Sequence, residues 1–337
     1  MVYKSDMNLP KVNDEAYIHF LIATPKVCSA TEAARVQPEQ PTAPAHDAFT
    51  RLLHRLEPDS TTLWHEAAGQ IERCGGVLVV DDSTLGKPYA QKMDWVQRHG
   101  SGKHHAVVEG INLITLLWTE GDRHVPLDYR LYDKAGDALT KNDHFQALLK
   151  TAHERRFAPE CVVFDSGYGS LENLKQIRAL GWVWLTRLKA NRLVNPDRCG
   201  LRPVARVEVD TMATVVHLKG YGLIRLFKIV TPDGDIEWWA SNDLKMSALT
   251  RVRFADYAWM IEHDHRGIKQ YCGVERAQVR TARAQRNHIG LCLRAFLRLE
   301  WHCYRTGVSW SEAKTAIIRP AIRAYLTNPL YTLPATA

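Results

Sequence analysis

Two aspartates sit side by side at Asp81-Asp82, a third acid stands at Asp165, and a fourth at Glu262. Asp81 and Asp82 follow the apolar run Gly76–Val80, and Asp165 follows Glu160–Phe164. Both runs have the texture of buried strands. A carboxylate just past the carboxyl end of such a strand is where an α/β sheet presents functional groups. In this element order the first and fourth strands can be neighbours, so the acids can converge. Converging carboxylates hold hard divalent cations through oxygen. Two Mg²⁺ about 4 Å apart activate a water or hydroxyl and stabilise the leaving oxygen of a phosphodiester. Taken singly, each acid reads as readily as a helix cap or a solvated loop residue; their joint placement favours the phosphodiester chemistry.

The surroundings of Glu262 add to this reading. In Ile261-Glu262-His263-Asp264-His265-Arg266-Gly267-Ile268-Lys269-Gln270 the spacing of Glu262, Arg266 and Lys269 is i, i+4, i+7, which aligns them along one helix face. Two cations beside an acidic site suit a bound phosphate backbone. The plainer alternative is an i,i+4 Glu–Arg pair worth about 0.3–0.5 kcal/mol. Gly267 costs about 1 kcal/mol in a helix, so the expectation is that it admits a close approach of DNA. His263 and His265, two residues apart, lie on different helix faces, and no C-x-x-C pair completes a zinc site.

The charge distribution points the same way. Residues 251–337 hold 14 Lys and Arg against 6 Asp and Glu, whereas residues 1–250 hold 30 against 31. The net +7 of the 337-residue chain therefore resides in its last quarter, mostly as arginine. The planar guanidinium suits phosphate contacts, so a polyanionic partner is expected, with a merely solvated basic helix face as the alternative. A 45% hydrophobic, 24% charged composition is that of a globular chain. The longest apolar run, Ile111–Trp118, is too short for a bilayer. Met1–Asp6 carries no secretory pattern. Seven scattered cysteines without a C-x-x-C pair suit reduced thiols in a cytoplasm.

The elements that must position these acids read as follows. Residues 1–74 form a helical N-terminal region, with helices near Ala16–Ala23, Ser29–Ala34 and Phe49–Leu56, either a DNA-binding module or a plain helical cap. Strands are expected at Gly76–Val80, Val107–Trp118 and Val125–Tyr132. A helix at Asn142–Arg156, a strand at Glu160–Phe164, a helix at Leu171–Leu180 and a strand at Trp182–Thr186 complete residues 75–189. Residues 190–248 look β-rich, with strands at Val204–Val209, Thr214–Leu218, Leu223–Val230 and Ile236–Ala240. Residues 249–305 return to helix (Ala255–Tyr271 and Ala284–Tyr304), and 306–337 read as a tail.

At this point the chain resembles the DDE transposases of bacterial insertion sequences, in the IS4-like group and closest to its IS701 branch. The resembling blocks are Val79–Leu85 (V-V-D-D-S-T-L), Phe164–Tyr168 (F-D-S-G-Y), Ser170–Lys175 and Ile261–Gln270. The resemblance runs from about residue 17 to about residue 304.

It implies an α/β fold: an RNase H-like catalytic core with a mixed sheet, interrupted by a β-rich insertion and preceded by the helical region. It implies a metal-binding triad of Asp82, Asp165 and Glu262, with Asp81 the fallback for the first acid. It further implies DNA-contacting Lys269 and Tyr168, two Mg²⁺ with Mn²⁺ able to substitute, and a homodimer on double-stranded DNA. That DNA is the terminal inverted repeats and the target, and the implied setting is the bacterial cytoplasm and nucleoid, with no membrane. Arg266, Arg280, Arg283 and Arg286 join Lys269 as expected backbone contacts. About 5 such contacts give a log–log salt slope of roughly −4.5. The family's third block also calls for a tyrosine seven residues and an arginine four residues before the glutamate. This sequence has Ala255 and Ala258 there, with Tyr257 displaced. A transposase-derived DNA-binding protein that no longer cuts is therefore the second reading. A haloacid-dehalogenase-like phosphatase would want Asp-x-Asp, which Ser83 does not supply, and no P-loop motif for an ATPase is present.

Overall fold

The structure, a computed structural model, describes residues 9–101, 106–134, 136, 138–209 and 213–329. Met1–Asp6, read above for a secretory pattern, lies outside the described residues. The chain begins with helices α1 (Asp14–Ala23), α2 (Ala30–Arg35), α3 (His46–Arg55) and α4 (Thr61–Ala67). Strands β1 (Val77–Gly86), β2 (Gln97–Ser101), β3 (Ala106–Thr119) and β4 (His124–Tyr132) come next. They are followed by α5 (Lys141–Glu154), β5 (Cys161–Phe164), α6 (Leu171–Ala179) and β6 (Trp184–Leu188). Five further strands are β7 (Leu193–Asn195), β8 (Arg202–Pro203), β9 (Thr214–Leu218), β10 (Gly222–Val230) and β11 (Ile236–Ser241). Helices α7 (Ala248–Tyr271), α8 (Ala282–Thr306) and α9 (Trp310–Thr327) close the chain.

Two compact units emerge, the larger formed by residues 60–89 and 95–265. It is built on a mixed sheet ordered β2-β3-β1-β5-β6-β11-β10-β9-β7-β8, with β4 on β3. β1, β5 and β6 run parallel, joined through α5 and α6, while β3 lies antiparallel to β1 and β11 antiparallel to β6. The β-rich segment thus extends the central sheet. Strand β1 runs on through Asp81 and Asp82 to Gly86, because β3 pairs with it over its whole length. Its parallel partner β5 stops at the Val80–Phe164 pair. The apolar run predicts only the part of β1 buried between two neighbours. Val204–Val209, expected as a strand, instead opens with a 3-10 turn at Val204–Arg206.

Side-chain alternation along β1 decides the layout. Val77 and Val79 join Val163, Leu185 and Ile261 in one buried apolar cluster, so the odd positions of β1 face α7. On β4, fully buried Asp128 accepts from Arg130 at 2.6 Å, and Arg155 faces its other oxygen at 3.3 Å.

The smaller unit gathers residues 9–59, 90–94 and 266–329 around α8, whose length is buried from Ala284 to Glu300. Tyr17 of α1 meets His288 at 3.1 Å, and Arg294 and Arg298 of α8 each pair with α1 at 2.8 Å, through Asp14 and Glu15. Residues 306–337, expected as a tail, contain α9 instead. Ser309 caps it by accepting from the Glu312 amide, and its buried Lys314 donates to the Leu21 carbonyl at 3.1 Å.

Gly267 is a packing residue here, which corrects the expectation of a DNA approach. A Cβ at this position would run into the Phe296 ring and lie 3.1 Å from Trp310. Gly267→Ala should therefore cost about 1–3 kcal/mol through overpacking, despite alanine's better helix propensity. A thermal melt checks this: a rise in melting temperature would mean the rings yield freely.

Candidate active site

The parity of β1 separates the two adjacent aspartates. Asp81 follows Val77 and Val79 onto the α7 side of the sheet, while Asp82 projects to the side of α5. On the neighbouring strand the same alternation carries Cys161 and Val163 on to Asp165. Helix α7 lays Phe254 and Ile261 on this sheet face, which brings the next residue, Glu262, to the same cleft. Asp81, Asp165 and Glu262 line one cleft of about 250 Å³, together with Arg187, Glu237 and Trp259. Ala255 and Ala258 also line it, so methyl groups stand where a tyrosine and an arginine were expected.

Electrostatics mark Asp81 as the pressured member. Burial, reinforced by the charges of Asp82, Asp165 and Glu262, pushes its carboxyl up to about 7. Asp82 is a different kind of residue. It accepts hydrogen bonds from Asn112 at 2.7 Å, Lys141 at 2.8 Å and the Tyr168 hydroxyl at 2.9 Å. Burial alone would raise it, but Lys141 and these donors outweigh that and hold it below the usual carboxylate range. Asp81, the fallback for the first acid, therefore lines the cleft with Asp165 and Glu262, whereas Asp82, the acid expected there, faces Lys141, Asn112 and Tyr168.

Asp165 is exposed and does two local jobs. Its side chain accepts from the Ser166 amide at 2.6 Å, starting the 3-10 turn Ser166–Tyr168. It also faces Arg187 at 3.3 Å, and Arg187 in turn reaches Glu237 at 2.9 Å. Burial would lower the Arg187 guanidinium, but Glu237 and Asp165 overcome it and raise it. Among the described residues, no three His, Cys, Asp or Glu side chains are placed to hold one metal ion together. The carboxylates share a cleft and a field without forming a closed cage, and Arg187 supplies the countercharge to Asp165.

Tyr168 is 3% exposed, its ring stacked on Phe145 with centroids 5.1 Å apart. Burial, then Asp82, pushes its hydroxyl well above the usual phenol range, so it remains a proton donor. This is a positioning tyrosine, not the surface contact expected. Tyr168→Phe should cost about 1.5–3 kcal/mol, as for a hydrogen bond to a charged group, and leave DNA affinity unchanged. Melting curves and a DNA titration check both halves, and a weakened affinity with an unchanged melt would restore a contact role.

The expected basic contacts fall in the helical unit and stay apart in character. Arg266 is exposed, and Lys269 faces Glu275 at 3.3 Å. Arg283 pairs with Glu57 and donates to the His54 carbonyl at 3.3 Å. Arg280 is exposed, with its carbonyl receiving the Asp94 amide at 2.9 Å, and Arg286 is partly buried. On α7, His265 meets Thr115 at 2.7 Å. Sequence reasoning missed Lys141, Arg187 and Glu237. Arg187 carried a usable signal, since it follows Thr186 at the end of the fifth expected strand, beside the Asp165 turn. Lys141 sits at the first turn of α5 and carried none.

Comparison with known proteins bears on the family and the fold. The profile of the family described as the Transposase DDE domain matches residues 72–298. The chain belongs to that family. A solved structure of piggyBac transposase, in a synaptic complex with hairpin DNA, is similar over 97% of this chain and 78% of that one, at 10% sequence identity and a TM-score of 0.51. At that identity the likeness concerns the fold alone. No protein of curated function matches the sequence. Among the described residues, no helix is long and apolar enough to cross a membrane.

Proposed function

We propose that Asp81, Asp165 and Glu262 form the divalent-cation site of a transposase that cuts DNA at transposon ends and joins them to a target. The observation that carries this reading is the convergence of Asp81, Asp165 and Glu262 on one cleft, where burial, and then the neighbouring carboxylates, push Asp81 up to about 7. The donor set fits the group: it is made of hard carboxylate oxygens, suited to Mg²⁺ or Mn²⁺, and its excess negative charge is of the kind a divalent cation relieves. When bound, two such ions activate the attacking water or hydroxyl and stabilise the leaving oxygen.

The chain's own residues do the rest. Asp82, tied to Lys141, Asn112 and Tyr168, fixes the end of β1 against the Asp165 turn. Arg187 exchanges its hold on Asp165 for the incoming phosphate, keeping its charge beside the reacting strand. Lys269 and Arg266 continue along α7 from Glu262 as contacts to the DNA backbone. The 3′-hydroxyl released at the transposon end then attacks a target phosphodiester in line, its oxygen bonding to phosphorus as the target strand's own 3′-oxygen leaves and takes up the proton. The resemblance of the sequence blocks supports a place in the IS4-like group, in its IS701 branch. On that reading it is a bacterial, cytoplasmic, nucleoid-associated enzyme that pairs two inverted repeats as a homodimer.

One observation favours a second reading, a transposase-derived protein that binds DNA without cutting. Ala255 and Ala258 leave the cleft without the expected tyrosine and arginine. The experiment is incubation of the purified protein with labelled duplexes carrying the repeats that flank its gene, with and without Mg²⁺, beside Asp165→Asn. Metal-dependent cuts at the repeat boundary, lost in the variant while binding persists, are expected. Binding without cutting in Mg²⁺ or Mn²⁺ would select the second reading.

A further inference from the structure

A second concavity of about 230 Å³ adjoins the carboxylate cleft and shares Arg187 as a wall. Its other cations are Lys189 and Arg192, on the loop leaving β6. Facing them are Gly167, Gly169 and Ser170, the last the N-cap of α6. Among the described residues that line this concavity there is no carboxylate. Arg187 already serves Asp165 and Glu237. Arg192 is held in place by its backbone, its amide donating to the Lys189 carbonyl at 2.8 Å and its carbonyl receiving the Val204 amide at 2.8 Å. Among the described residues its Nη2 is buried with no hydrogen-bond partner. A buried donor of this kind calls for an explanation, and an anion reaching the guanidinium is one. The opposite wall is glycine backbone, the small side chains of Ser166 and Ser170 and the positive end of the α6 dipole.

We infer that this concavity binds a backbone phosphate of DNA, next to the scissile phosphate on the strand that enters the carboxylate cleft. Lys189 supplies a point charge and Arg192 a fork, the two ways in which cations hold phosphate oxygens. With Arg187 between the two cavities, one strand passing over it places one phosphate among the acids and its neighbour among the cations. The strand is thereby set in register without any base being read. The inference rests on the DNA-cutting reading above.

The test is DNA binding in EDTA, so cutting does not enter. A fluorescein-labelled duplex carrying the flanking repeat is titrated at several salt concentrations with the full chain and with Lys189→Gln, Arg192→Gln and the double variant. Each phosphate contact adds about 0.9 to the log–log salt slope, so losing one should weaken binding about eight-fold at 0.1 M salt and flatten the slope by about 0.9. Because both residues would hold one phosphate, the double variant should lose little beyond either single one, and Arg192→Lys should recover most of the affinity. Melting curves separate a folding defect from lost contact; if Arg192→Gln melts early, Lys189→Gln and Arg192→Lys decide. Unchanged affinity and slope in both single variants, or losses that simply add, would overturn the shared phosphate site and leave the cutting reading intact. A wild-type chain that binds no DNA would overturn both.

Discussion

Asp81→Asn should abolish DNA cutting and at the same time raise the melting temperature of the metal-free protein. Asp82→Asn should do neither. The contrast follows from where β1 sends the two side chains. Asp81 lies among Asp82, Asp165 and Glu262, and its carboxyl is pushed up to about 7 by burial first and by those charges second. Removing its charge relieves repulsion, so the apo protein gains stability, by a few degrees if about 1–2 kcal/mol is recovered. On the proposed reading the same change removes a cation ligand. Loss of outer-shell partners alone costs 10–100-fold in metal sites, so loss of a ligand should exceed about a thousand-fold in rate. Asp82 holds Lys141, Asn112 and Tyr168. Its amide would leave the Lys141 ammonium short of its partner, lowering the melting temperature while cutting falls only about 10–100-fold. Single-turnover cleavage and thermal melts on the two variants check this. Equal losses of activity, or a melt that falls in Asp81→Asn, would place the site on the wrong face of the strand.

The second large effect concerns stability. Asp128 is fully buried on β4, with Arg130 at 2.6 Å, the Tyr129 amide at 2.7 Å and Arg155 at 3.3 Å. Asp128→Ala should destabilise the sheet unit by about 3–5 kcal/mol, because two guanidinium groups lose the acid that compensates them. A melting temperature lower by on the order of 10 °C is expected. Asp128→Asn, which keeps the shape and one acceptor, should recover part of this. A shift of less than about 2 °C for the alanine variant would mean that solvent already screens the cluster. Cutting activity below the melting transition should be retained, since Asp128 does not line the carboxylate cleft.

Much of the frame was legible because burial writes a simple pattern. Gly76–Val80 and Glu160–Phe164 are apolar on both faces, as central parallel strands must be, and they are neighbours in the sheet. The extension of β1 to Gly86 was not legible. Asp82-Ser83-Thr84 is polar, and only its pairing with β3 makes it strand. The same limit governed the acids: Asp81 and Asp82 differ only in parity, and parity acquires meaning once Ile261 of α7 is known to join Val77 and Val79. Helix α9 was hidden by Pro320 in its interior, although Ser309 three residues before Glu312 is a readable start signal. Gly267 illustrates the opposite error. A helical glycine invites a functional reading, but the Phe296 and Trp310 rings that require it come from distant sequence.

On the proposed function, Asp81, Asp165 and Glu262 together hold divalent cations. Calorimetric titration of Mn²⁺ into the repeat-bound protein tests it most directly, comparing wild type, Asp81→Asn and Asp82→Asn. Saturable Mn²⁺ binding in the wild type and in Asp82→Asn, lost in Asp81→Asn, is the predicted result. Binding that survives in Asp81→Asn but disappears in Asp82→Asn would contradict the account, as would a wild-type complex that takes up no Mn²⁺.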